Sequence, residues 1–229
     1  MMSNRILIVK SFEELLATRF SGDINALCWP RRLAGDFQEI LDKLHVDDGI
    51  TTIGDDELRS FTLGPAGSIA REVLLADQAM LRANGLEPVL DCVTGHPSDR
   101  ADHPLPTDVN SFHVDSATAE TDTFLSTYIG SPSEGLSNES AIRRVDVAET
   151  RAQLLKIYGG PDDKGFDAYL SKQYFDLHYA PLPGAQPYSF GLGNLWRIAT
   201  AYPGCPVLPC IHRAPLTLPG AQARLLLIS

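Results

Sequence analysis

His113 and Asp115, in the stretch Ser111-Phe112-His113-Val114-Asp115, and His212, in Ile211-His212-Arg213-Ala214-Pro215, have the side-chain types and spacing to hold a metal ion. In an extended strand the side chains at i and i+2 share a face, so His113 and Asp115 can both aim into one cavity. Two imidazoles and a carboxylate on one side of a divalent ion leave the opposite coordination positions free for exchangeable ligands. Arg224 follows in the apolar run Leu225-Leu226-Leu227-Ile228, which reads as a buried strand. A guanidinium on such a strand needs an anion, and a bound dicarboxylate would supply one.

The elements that must position these residues fall into two textures. Residues 1–87 read as mainly helical, apart from a strand with β-branched character at Arg5 to Val9. Ser11 and Glu14 form a capping-box pattern ahead of a short helix to about Phe20, and Leu33, Phe37, Ile40, Leu41 and Leu44 recur at helical spacing. Ser68 to Ala83 is the strongest helical segment, with Ile69, Val73, Leu74, Ala76, Met80 and Leu81 available for a buried stripe and Asn84-Gly85 to close it. From Pro88 onward, short apolar pieces separated by Pro, Gly, Asp and Ser read as strands, as in a sandwich or barrel. These include Pro88–Val93, Ser111–Asp115, Phe124–Ile129, Tyr188–Ile198 and the pair around His212 and Arg224. A segment at about 137–187 interrupts this pattern with two predicted helices. It separates Asp115 from His212 in the chain, and a lid over the cavity mouth is the role expected of it.

The order His-X-Asp, then a distant His, then an Arg resembles that of the Fe(II)/2-oxoglutarate-dependent oxygenases. Phe112-His113-Val114-Asp115, Thr127-Tyr128-Ile129-Gly130, His212-Arg213-Ala214-Pro215 and Arg224-Leu225-Leu226-Leu227 further resemble an uncharacterised family of small microbial proteins. The likeness covers the C-terminal half, with only Trp29-Pro30-Arg31 matching before it. It implies an α+β fold with a double-stranded β-helix, or jelly-roll, core over 88–229 and N-terminal helices packed on it, all in a single domain of residues 1–229. It also implies Fe(II) held by His113, Asp115 and His212, with molecular oxygen and 2-oxoglutarate as co-substrates and Arg224 on the distal carboxylate of 2-oxoglutarate. Such enzymes often carry a Ser two residues after the Arg. Leu226 stands there instead, which leaves Tyr128 as the candidate hydroxyl donor. The expected reaction is hydroxylation, desaturation or oxidative cyclisation of a small molecule, with an amino acid or related carboxylic acid the first class to try.

Composition narrows the alternatives. At 229 residues, 44% apolar and 21% charged, the chain can bury one sizeable core. Acidic residues outnumber basic ones by 29 to 19, for a formal charge of −10, and no basic run tracks a phosphate backbone, so a nucleic-acid partner is not expected. No apolar run approaches the ~20 residues of a membrane span, and the short Ile6–Val9 stretch is no signal-peptide core, so the expected location is cytoplasmic. There Cys28, Cys92, Cys205 and Cys210 would be free thiols, although Cys205 and Cys210 beside His212 leave a zinc site or local disulfide open.

Other polar residues have plainer readings. His45-Val46-Asp47 repeats the tripeptide pattern but follows a predicted helix, as a solvated turn would. His96 and His103 sit in a loop, and the neighbours of His178 are those of a packed residue. Alternation sends Arg213 away from the face of His212. Arg143, Arg144 and Arg197 read as solvated charges unless an acidic substrate meets them, and Trp196 and Tyr202 read as packing. Two other functions fit the same residues: a cupin-type metal protein that uses no 2-oxoglutarate, and a noncatalytic β-sandwich in which the three ligands never converge.

Overall fold

The computed structural model describes residues 5–45, 49–94, 105, 108–174, 177–215 and 221–229. The predicted tripeptide at 45–47 therefore lies partly outside the described residues, and His96 and His103 lie wholly outside them.

The chain opens with β1 (Ile6–Ile8), α1 (Phe12–Ala17), β2 (Ala26–Trp29), α2 (Phe37–Leu41), β3 (Gly49–Thr52), α3 (Asp55–Ser60) and α4 (Pro65–Arg82). Then come β4 (Val89–Thr94), β5 (Asp122–Ile129) and β6 (Glu134–Leu136), followed by β7 (Ala141–Arg143), α5 (Ala148–Tyr158), α6 (Lys164–Tyr174) and β8 (Tyr179–Pro181). It finishes with β9 (Tyr188–Ser189), β10 (Leu195–Ala199), β11 (Ile211–Arg213) and β12 (Arg224–Ile228). This is a mixed α+β fold built on a seven-stranded sheet of order β1-β2-β10-β5-β12-β4-β3. Only the β1–β2 pair in it is parallel. A three-stranded sheet, β11-β6-β9, and the β7–β8 hairpin are separate.

The expected division at residue 87 does not hold in the sheet, because β1, β2 and β3 from the N-terminal part form its outer strands at both ends. The local signals fare unevenly. Ser11 Oγ accepts from the Glu14 N–H as the N-cap, but the Glu14 carboxylate accepts from the Lys10 N–H instead of that of Ser11, so only half of the capping box forms, and α1 stops at Ala17. The predicted helix over 33–44 shrinks to one and a half turns that start at Asp36, whose carboxylate caps Gln38 and Glu39. In α4 the buried stripe is rotated from expectation. Ala70, Leu74, Leu75 and Leu81 are inside together with the polar Asp77 and Gln78, while Ile69 is half-exposed.

Strand alternation separates two cores. On one face of the large sheet Leu27, Phe124, Tyr128, Leu195, Leu225 and Leu227 pack beneath Leu15, Ile40, Leu74 and Leu81 of the helices. On the other face Ala26, Cys28, Leu125, Trp196 and Ile198 meet Phe190 and Cys210 from the flanks of the small sheet. The insertion has a small separate core, made by Val145, Leu154, Phe166 and Leu170 and joined by Leu105 from outside it. All four cysteines are free thiols, and burial pushes those of Cys28 and Cys210 up to about 12. No helix among the described residues is long and apolar enough to cross a membrane.

Candidate metal centre

The segment 111–115 is extended but irregular, held by single bridges rather than by a strand ladder. His113 exchanges both backbone hydrogen bonds with His212, at 2.9 Å each. His113 also bridges His178, and the Tyr179 N–H donates to the Phe112 carbonyl at 2.7 Å, so the hairpin stem of the insertion clamps the segment from its other side. β11 is registered on β6, with His212 opposite Gly135. A Cβ at Gly135 would lie 2.2 Å from the Tyr188 ring, so only glycine lets that ring lie across β6 behind the histidine.

This scaffold brings His113, Asp115 and His212 together. One potential ligand atom from each lies within 4.8 Å of the others. His113 Nε2 is 3.8 Å from Asp115 Oδ1, and His212 Nε2 is 3.7 Å from Asp115 Oδ2. Two donors that share an ion at ~2.0–2.2 Å stand roughly 3–4 Å apart, so these separations suit a common cation. The second nitrogens decide what faces inward. His113 Nδ1 lies 2.8 Å from the Ser111 carbonyl and His212 Nδ1 3.3 Å from the Cys210 carbonyl. A carbonyl can only accept, so each Nδ1 carries a proton and each Nε2 is the ring atom turned to the centre. Burial, foremost, lowers the pKa of His212 and keeps its ring neutral. The centre thus turns two imidazole Nε2 atoms and a carboxylate toward one point, an arrangement that suits a cation. The Thr123 hydroxyl donates to Asp115 Oδ2 at 2.5 Å and orients the carboxylate. Neither Ser111 nor Thr123 carries a signal in the sequence for this role.

Arg224 opens onto the same cavity, of about 330 Å³. It is 2% exposed, and its hydrogen bonds go only to neutral groups: Nε to the Ser131 carbonyl at 2.7 Å and Nη2 to Ser133 Oγ at 3.1 Å. It makes no ion pair among the described residues, and burial brings its pKa down to about 10. Gly130 allows this placement. At φ +83° it ends β5 where a Cβ would come within 2.6 Å of the Ala223 carbonyl, so β12 can start close against it.

Tyr128 is not at this site. Leu125 lines the cavity, and Tyr128, an odd number of residues along β5, faces the helices instead. There it stacks on Phe37, and its hydroxyl donates to Asp77 Oδ2 at 2.7 Å. The hydroxyl beside the guanidinium belongs to Ser133. Leu226, two residues past Arg224, does line the cavity.

No described residue of 137–187 lines the cavity. His178 receives a 2.6 Å contact from Ser111 Oγ, and burial together with His113 lowers its pKa to about 4. Arg213 pairs with Glu134 and covers the Phe112 ring, away from the ligands as alternation required. Arg143 pairs with Asp146. Arg197 is held by Asp122 and by carbonyls of residues 15, 16 and 18. The Trp196 indole N–H donates to the Phe190 carbonyl in the core. No cysteine joins a metal-ligand group among the described residues. Comparison of the chain with protein families, with curated proteins and with solved structures finds no match.

Proposed function

We propose that the protein is a non-haem Fe(II)- and 2-oxoglutarate-dependent oxygenase acting on a small molecule. One observation carries the reading: three converging potential metal ligands and a buried guanidinium without an anion open onto the same cavity. Each half demands an ion of opposite sign, and an iron ion with a dicarboxylate co-substrate meets both demands. The large sheet facing a three-stranded one, with the cavity between β12 and the strand of His212, supports the finer reading of the core as a jelly roll.

In this proposal His113, Asp115 and His212 hold Fe(II) on one side, as the chemistry of their donor set allows. Bound there, the iron would supply the redox chemistry by which oxygen and 2-oxoglutarate are converted to succinate, carbon dioxide and an oxidised substrate. The Ser111 and Cys210 carbonyls fix both imidazole tautomers, so Nε2 is the ligand atom in each. Arg224 receives the distal carboxylate of 2-oxoglutarate through charge-assisted contacts, with its plane set by Ser131 and Ser133. Apolar walls exclude bulk water and strengthen that ion pair. A cupin-type protein without 2-oxoglutarate would share the histidines but leave Arg224 unexplained.

The test is an anaerobic titration of the Fe(II)-loaded protein with 2-oxoglutarate, followed by the weak visible absorption of the chelate. A saturable band that needs His113, Asp115 and His212, and that requires much higher 2-oxoglutarate in Arg224→Ala, is the expected result. Tight Fe(II) binding with no response to 2-oxoglutarate would reject the assignment.

A further inference from the structure

The cavity wall narrows the substrate class, an inference that rests on the oxygenase reading. Above the polar floor the apolar lining is Ile50, Val93, Val109, Leu125, Leu226 and Ile228, interrupted by Asp91, Thr94 and Asn110. Ile50 is 66% and Val109 58% exposed, large apolar side chains at the mouth that pack against no core. Isolated exposed apolar residues are ordinary, but these continue an apolar wall inward to Leu125 and Leu226, the kind of surface that takes up a hydrophobic ligand. Charge is distributed just as unevenly. Among the described lining residues the only formal charges are Arg224, Asp115 and Asp91. Asp91 accepts from the Thr52 hydroxyl at 2.7 Å and has no cationic partner among the described residues. With Arg224 engaged by 2-oxoglutarate and Asp115 by the metal, the remaining charge in the wall is negative.

We propose that the substrate is a small molecule with an apolar body and a neutral or cationic head, and not a free carboxylic acid. A second carboxylate would enter a mainly apolar wall with no cation left to pair it among the described residues and with Asp91 as a like charge. An ammonium or hydroxyl head meets no such penalty, and Asp91 offers it an acceptor. This departs from the amino-acid class that chain size and family likeness put first.

Three probes with one body and different heads test the proposal: 3-phenylpropan-1-ol, 3-phenylpropylamine and 3-phenylpropanoate. Each is titrated calorimetrically against the anaerobic Fe(II)-loaded protein, with and without saturating 2-oxoglutarate. The alcohol and the amine should bind under both conditions. The acid should bind only where 2-oxoglutarate is absent, through Arg224, and should weaken at least tenfold when it is added. In Ile50→Asp, a change at an exposed position that spares the fold, the alcohol should weaken severalfold and the amine less. Retention of the acid beside saturating 2-oxoglutarate overturns the proposal. So does failure of both alcohol and amine to bind, even where the 2-oxoglutarate band is intact and the oxygenase reading stands. Unchanged affinities in Ile50→Asp place the binding elsewhere and overturn it too. If 2-oxoglutarate itself does not bind, the oxygenase reading falls, while Ile50-dependent uptake of the alcohol and amine still upholds the apolar cavity.

Discussion

The two faces of the seven-stranded sheet treat buried charge in opposite ways. Under the helices, Arg31 and Asp77 are both nearly enclosed and fully paired: Nη1 to Oδ1 at 2.7 Å, with Ser126, the Gly193 carbonyl and the Tyr128 hydroxyl taking up the remaining valences. On the cavity face Arg224 is as deeply buried and has only neutral partners, and three potential metal ligands converge. A buried charge costs several kcal/mol in desolvation unless it is compensated, so the first face spends its charges on holding the fold. The second leaves its charges uncompensated among the described residues, and the proposed function rests on that difference.

That contrast can be broken first at Asp77. Asp77→Ala strands the Arg31 guanidinium and should cost about 3–5 kcal/mol in urea unfolding. A loss under about 1 kcal/mol would mean that pairing does not matter on the helical face. Next in size is metal-linked stability. Fe(II) at a hundredfold over its dissociation constant should stabilise the protein by about 2.7 kcal/mol, and His212→Ala should abolish the gain while leaving the metal-free protein folded. Thermal unfolding with and without Fe(II) under anaerobic conditions reads both. Arg224→Leu removes an uncompensated cation, so the metal-free protein should become more stable by about 1 kcal/mol or more even as 2-oxoglutarate binding is lost. Destabilisation instead would show that the guanidinium is structural, like Arg31.

The smallest effect sits at the surface, where Arg5 pairs with Glu139 and, with Ser137, holds its carboxyl down to about 2. A carboxyl depressed in the folded state binds fewer protons there than in the unfolded chain between its ordinary value and about 2. Its stabilisation is therefore complete above pH 4.5 and is lost as pH falls towards 2. Glu139→Gln should flatten that part of the pH–stability curve while changing stability near pH 7 by under about 1 kcal/mol.

Much of the cavity face was legible because its chemistry is carried by residue types that are costly to bury. His113, Asp115, His212 and Arg224 stand out in apolar surroundings, and the structure gathers all four around one cavity. What escaped was chemistry done by common residues or by backbone. The Ser111 and Cys210 carbonyls, Thr123 and Ser133 act through position alone. Tyr128 was misplaced even though strand parity with Leu125 forbids both from facing the cavity. The helical face was harder to read, because Asp77 and Gln78 sit on the buried side of α4 and break its apolar stripe. In the N-terminal part β1 was legible from its β-branched residues, whereas β3 is an edge strand too short for its alternation to show. The insertion declares its helices, but nothing in its composition shows that its stem would brace residues 112–114.

The mutual backbone bridge between His113 and His212 has a consequence for the birth of the protein. Until residues 211–213 have been made and have docked on 113, the chain offers a metal only two of its three side chains, and the guanidinium of Arg224 comes later still. A half-made chain therefore lacks the complete cage, and uptake of the proposed iron would report that the middle of the chain and its C-terminal part have closed on each other.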